Sequence, residues 1–250
     1  IIGEKDQNFE PAIRWHKRAL GIHTYEADSA KWACTQYCLG NAYSNRILGE
    51  SHKNQERAIQ CYENALQVYT RTTNPNGWAD LQDNLGIVYQ ERLLGDKSEN
   101  MEKAIAYLKK ALLVHTRRVN PLKWALSQRN LGVAYGKRIL GEKSENLKSE
   151  IRCYKNALLI YNRNAFPLDR AITLFNLGLV YKNLQQFKSA YQSFRAAIDI
   201  FESLRSLIAP ENYKSITDTQ ALDDKLIISG ESFTQEAKRK LAEDTHLVYQ

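Results

Sequence analysis

Three asparagines recur at one fixed spacing: Asn84, Asn130 and Asn176, each 46 residues from the next. A carboxamide donates through its N–H and accepts through its carbonyl, so it can pair with both halves of a peptide backbone whatever that peptide's side chains are. A ladder of such groups has the chemistry to grip an extended segment. The alternative is that each Asn bonds a neighbouring helix of its own chain. One unit earlier the series is broken by Cys38, with Asn41 close by; Asp83, Gln90, Arg129 and Lys137 fall on the same stripe. A second ladder, Arg46, Arg92 and Arg138, follows Tyr43, Tyr89 and Tyr135 by three residues. Near a helix end an Arg can bond terminal carbonyls and stack on an aromatic ring, so these three are expected to be structural.

Covalent chemistry finds little to work with. The five histidines, His16, His23, His52, His115 and His246, stand in no nucleophile–base motif, and His16 and His115 lie on apolar stripes. Phosphate loops and the zinc-protease and serine-hydrolase motifs are absent from the sequence. Cys34 and Cys38, four apart on one helix, could present two thiolates to a metal, but no His completes the set; Cys61 and Cys153 occupy equivalent slots two units apart. All four are read as core thiols, which suit a reducing cytoplasm. The expectation is therefore a chain without catalytic residues, metal or cofactor of its own.

The elements that position these residues follow from the same period. Trp32, Trp78 and Trp124 align at 46 residues, as do Gly40, Gly86, Gly132 and Gly178, and Ala19, Ala65, Ala111 and Ala157. Each unit reads as two helices, for example Trp78–Leu94 and Met101–Arg117, with apolar residues at helical spacing. Asn74-Pro75 and Asn120-Pro121 read as N-cap and first helical residue, and Gly95 as a stop. Gly inside a helix costs about 1 kcal/mol against Ala, so its recurrence in four units implies close helix approach with a large neighbour beside it. No stretch alternates as a strand does.

These residues resemble the tetratricopeptide repeat. Leu177, Gly178, Tyr181, Ala190, Phe194 and Ala197 match that family's signature, with 19 residues from Gly178 to Ala197. The longer units gain six residues inside and six between, which turns an ordinary repeat of about 34 into the 46 seen here. The resemblance implies an all-α, right-handed superhelical solenoid of antiparallel helix pairs whose first helices line a concave face. It divides the chain into a half unit at 1–28, long units at about 29–74, 75–120 and 121–166, a short unit at 167–207, and a linker with a helical extension at 208–250. The long form also resembles bacterial arrays upstream of CHAT (caspase-like) domains. That implies a sensor or regulatory arm whose catalytic domain, if any, lies outside this chain. The opening "IIGEKDQNFE" repeats "ILGEKSENLK" at 139–148 and reads as the end of a first helix whose beginning is missing.

The bulk numbers fit. The chain is 43% hydrophobic and 25% charged, and no apolar run is long enough to span a membrane. Residues 101–190 hold 17 Lys and Arg against 5 Asp and Glu; the rest hold 18 against 23. A basic middle of this kind could attract an acidic protein or a nucleic acid, or simply be solvated helix surface. The functional expectation is recognition of a protein or peptide segment on the concave surface. Nucleic-acid or acidic-partner binding through 101–190, and a purely structural or self-association role, are the alternatives.

Overall fold

The computed structural model describes residues 9–207, with side chains through Arg205. The opening turn at 1–8, with Gly3, and the extension at 208–250 lie outside these. Among the described residues the secondary structure is entirely helical: α1 (Phe9–Leu20), α2 (Ser29–Ser44), α3 (Ser51–Leu66), α4 (Pro75–Glu91), α5 (Lys97–Ala111), α6 (Pro121–Lys137), α7 (Lys143–Leu158), α8 (Pro167–Asn183) and α9 (Phe187–Leu207). The chain forms two compact units, divided between Lys143 and Ser144.

In the first unit, successive helices pair, α2 with α3 and α4 with α5, and the pairs stack: α4 also packs on α2, and α6 on α4. This is the fold of an all-α solenoid. The asparagine caps perform as expected. Asp28, Asn74 and Asn120 each accept a hydrogen bond from the backbone N–H three residues on, and Pro75 and Pro121 open α4 and α6.

The helix ends differ from the periodicity reading. α4 stops at Glu91 rather than Leu94, because Arg92 turns to an extended backbone (φ −61°, ψ 126°). Gly95 does not end the helix; it takes a left-handed φ of 80° inside the following turn, as Gly49 and Gly141 do. α5 begins at Lys97 rather than Met101, since Asp96 caps the N–H groups of Ser98 and Glu99, and it ends at Ala111 rather than Arg117. Hydrophobic spacing could not see these limits, because polar first turns and aliphatic turns both break the rule that apolar means helix interior.

The expected close approach is real. A Cβ on Gly86 would stand 2.6 Å from Leu108 Cγ, and one on Gly40 2.5 Å from the Tyr62 ring. In the second unit α8 packs on α9 around Ala171, Phe175, Ala190, Phe194 and Ala197, with Leu158 at the margin. Gln185, at φ 58°, makes the tight turn between these two helices.

Candidate functional site

The inner-face candidates of the first unit come from α2, α4 and α6, and the structure ties them sideways to one another. Asn41 Oδ1 accepts from Tyr62 Oη and from Asn84 Nδ2, each at 2.9 Å. Gln90 Nε2 donates to the Asn130 carbonyl at 3.2 Å. The Asn ladder is thus partly spent on its own neighbours, as the alternative reading had it. Yet Asn41 keeps its Nδ2 and Asn84 its Oδ1 without a partner among the described residues. Asn130 Nδ2 is buried with no hydrogen bond at all. These three, and Arg129, are half-buried, while Lys137 is exposed. Asn176 is half-buried on α8 in the other unit.

Asp83 corrects the sequence reading. Far from standing on an open wall it is 5% exposed, and its Oδ2 meets Ser127 Oγ at 2.6 Å and His115 Nδ1 at 3.0 Å. His115 is fully buried, with Nε2 3.3 Å from Asp80 Oδ1. Lys123 Nζ reaches both oxygens of Asp80 at 2.6 Å. Burial works against the imidazolium, but the bonds to Asp80 and Asp83 outweigh it and raise its pKa to about 9. For Asp83 burial wins, and its carboxyl stands above the usual range. Burial opposes the Asp80 carboxylate too; there His115 and Lys123 outweigh it and hold the pKa low. Asp80 of α4 is therefore neutralised by Lys123 of α6 and by His115 of the link between α5 and α6.

Ser127, His115 and Asp83 share atoms without forming a hydrolytic relay. The serine hydroxyl donates to the same carboxylate oxygen that faces the imidazole, and it is fully buried. His115 Nδ1 does lie 3.1 Å from that hydroxyl, but a nucleophile also needs an approach for substrate, and burial leaves Ser127 none. The network instead staples α4, the α5–α6 link and α6. Periodicity did not reveal it: the slots equivalent to His115 hold His23, Tyr69 and Tyr161, and those equivalent to Asp83 hold Tyr37, Arg129 and Phe175, so the two never recur together.

The Arg ladder also bonds differently from expectation. Arg92 grips Glu56 of the preceding pair through Nε and Nη2, at 2.7 and 2.8 Å, and its own turn through Asn100 Oδ1 at 3.2 Å. Arg138 grips Glu102 in the same bidentate way, and Arg46 bonds Glu10 and Asn54. Asn54 and Asn100 in turn donate to the carbonyls of Leu48 and Leu94. The stacking half of the expectation is present: the Arg92 guanidinium lies 5.4 Å from the Tyr89 ring centre. The partners were legible in the period, because Glu10, Glu56 and Glu102 recur at the same 46-residue spacing.

Cys61 and Cys153 are buried, Cys38 is half-buried, and Cys34 is exposed. Among the described residues no group of three or more His, Cys, Asp or Glu is placed to hold a metal ion, and no helix is long and apolar enough to cross a membrane.

The tetratricopeptide-repeat family profile matches residues 171–203, which are α8 and α9. Among solved structures, the crystal structure of MamA is similar at 19% identity and a TM-score of 0.55, over 82% of this chain and 98% of that one. Residues 171–203 thus carry a tetratricopeptide repeat. A MamA RS-1 ArsTM double mutant is similar at 17% identity and a TM-score of 0.55, over 82% and 99% of the two chains. BtubC (BKLC) from P. vanneervenii matches at 15% identity and 0.57, over 98% of this chain and 89% of its own. No curated protein matches the sequence. At these identities the likeness is one of fold. The tetratricopeptide-repeat match supports a protein-interaction or scaffold role, a non-catalytic type.

Proposed function

We propose that the inner face of the first unit recognises an extended protein segment through the backbone-directed amides of Asn41, Asn84 and Asn130. One observation carries this reading: unspent amide groups on half-buried Asn41 and Asn84, whose positions are already fixed by the bond between them. Asn41 is held by Tyr62 and Asn84, which leaves one donor and one acceptor aimed away from those bonds. Fixing the amides before binding lowers the ordering cost that a long, shallow site would otherwise carry. Lys137, exposed at the end of α6 about two turns beyond Arg129, gives that end of the face a positive character suited to an acidic segment. The likeness to arrays upstream of CHAT domains supports a regulatory arm within a larger protein.

Asn130→Ala separates this reading from a structural one. Its Nδ2 already lacks a partner, so truncation leaves thermal stability unchanged or slightly raised. Binding should fall nonetheless. The measurement is fluorescence anisotropy on peptides selected from a random 16-residue display library, using the whole chain. Asn130→Ala is expected to weaken the selected peptides about tenfold, with little salt dependence. Unchanged affinity in Asn130→Ala would remove the inner face from consideration. Failure to select peptides, together with steeply salt-dependent binding of a nonspecific RNA oligomer, would favour the basic residues Lys103, Lys109, Lys110, Arg117 and Arg118, all of which are exposed.

A further inference from the structure

The first helices of the first unit end in a feature that neither packing nor the inner face uses. Each is followed by an aliphatic pair that the fold leaves in water. Ile47 and Leu48 are 56% and 44% exposed, Leu93 and Leu94 64% and 44%, and Ile139 and Leu140 65% and 49%. The helices preceding them, α2, α4 and α6, pack on one another in that order, so the pairs run along one edge. The turns that present them are fixed. Asn54 and Asn100 bond the carbonyls of Leu48 and Leu94 while Arg46 and Arg92 hold those asparagines, and Gln55 bonds Glu91 O and Leu93 N across to the next turn. The pairs therefore stand as rigid knobs at one constant period.

We propose that this edge is a self-association surface on which a second copy of the same chain docks antiparallel, about a two-fold axis through the middle pair. Three observations favour a second copy. The first is area. Six side chains at these exposures present roughly 600 Å² on one edge, at the top of what a monomer ordinarily shows. Two such edges together bury about 1,200 Å², where stable interfaces begin. The second is register. A second copy brings knobs at the identical period, so every pair meets a pair once one does, and an isologous contact of this kind closes at two chains. The third is charge. The arginines beside the pairs are already matched by Glu10, Glu56 and Glu102, and each turn carries both signs: Glu50 with Lys53, Asp96 and Glu99 with Lys97, Glu142 and Glu145 with Lys143. Such an edge does not repel its own copy, whereas the exposed face of α5, with Lys103, Lys109 and Lys110, would.

The test is analytical ultracentrifugation of the whole chain across about 1–100 µM, beside Leu93→Glu and the Leu93→Glu/Ile139→Glu double variant. A reversible dimer is expected, with the dissociation constant raised at least tenfold by Leu93→Glu and the double variant monomeric. Because these side chains are exposed, the far-UV circular dichroism and melting temperature should hold in both variants. A second readout fixes the arrangement. In a Cys34→Ser background, Leu93→Cys should cross-link to itself on mild oxidation, and Ile47→Cys should cross-link to Ile139→Cys in a mixture. A wild-type chain monomeric throughout the range, or a dimer indifferent to both Glu variants, would overturn the proposal. Self-cross-linking of Ile47→Cys in place of cross-linking to Ile139→Cys, whatever Leu93→Cys does, would overturn the antiparallel axis.

Discussion

At the scale of single residues, His115 and Arg92 show how one side chain can join successive pairs by different physics. His115 is buried between two carboxylates, and its proton is retained far above the ordinary range of an imidazole, to about pH 9. Since the folded pKa lies above the unfolded value of about 6.5, its contribution is complete below that lower value. It declines as pH rises, and is gone above about 9. The melting temperature should therefore fall between pH 7 and 10 more steeply in the wild type than in His115→Gln, a difference that thermal scans across that range will expose. His115→Ala strands Asp83 in the core and should cost about 3–5 kcal/mol in urea unfolding. Arg92 works near the surface, where an ion pair is worth little by itself. It gains from the bidentate grip on Glu56 and the bond to Asn100, which a lysine cannot reproduce. Arg92→Lys is accordingly expected to lose most of what Arg92→Ala loses, about 1–2 kcal/mol by urea titration. Recovery of full stability with lysine would reduce the ladder to simple charge.

At the scale of elements, the recurring glycine sets how closely two helices can lie. Gly86→Ala would put a methyl group 2.6 Å from Leu108 Cγ and 3.3 Å from the Ala104 carbonyl. The gain of helix propensity, about 1 kcal/mol, is then outweighed by overpacking of about 1–3 kcal/mol. Gly86→Ala should lower stability by a small net amount, and Gly86→Ala in a Leu108→Ala background should be tolerated better than the two single losses predict. Hydrogen exchange on α4 and α5 would locate the effect; an additive cycle would mean that the helices shift freely apart. This spacing was legible in the sequence because small residues and their large neighbours both obey the 46-residue period. The helix ends were not. Leu93 and Leu94 look like a buried helical stripe, and only the extended turn at Arg92 puts them in water.

At the scale of the whole molecule, repeat chains gain stability from nearest neighbours only, so they need not unfold as one. The chain divides into two compact units between Lys143 and Ser144. Trp15, Trp32, Trp78 and Trp124, its four tryptophans, lie in the first. Tryptophan fluorescence thus reports on that unit alone, while far-UV circular dichroism reports on both. The two urea transitions are expected not to coincide; superimposable curves would mean a single cooperative body. The sequence by itself determined the repeat class, the helix-pair plan, the caps and the close-packed glycines. Those depend on local conformation and on contacts that recur in every unit, so they leave a periodic trace. Only the tertiary structure decided that Asp83 is stapled inside by His115 and Ser127, that Asn84 spends half its amide on Asn41, and that the aliphatic pairs face outward. These contacts join residues 12 to 44 positions apart. They depend on which side of a turn each group falls, and a side chain's type does not report its direction.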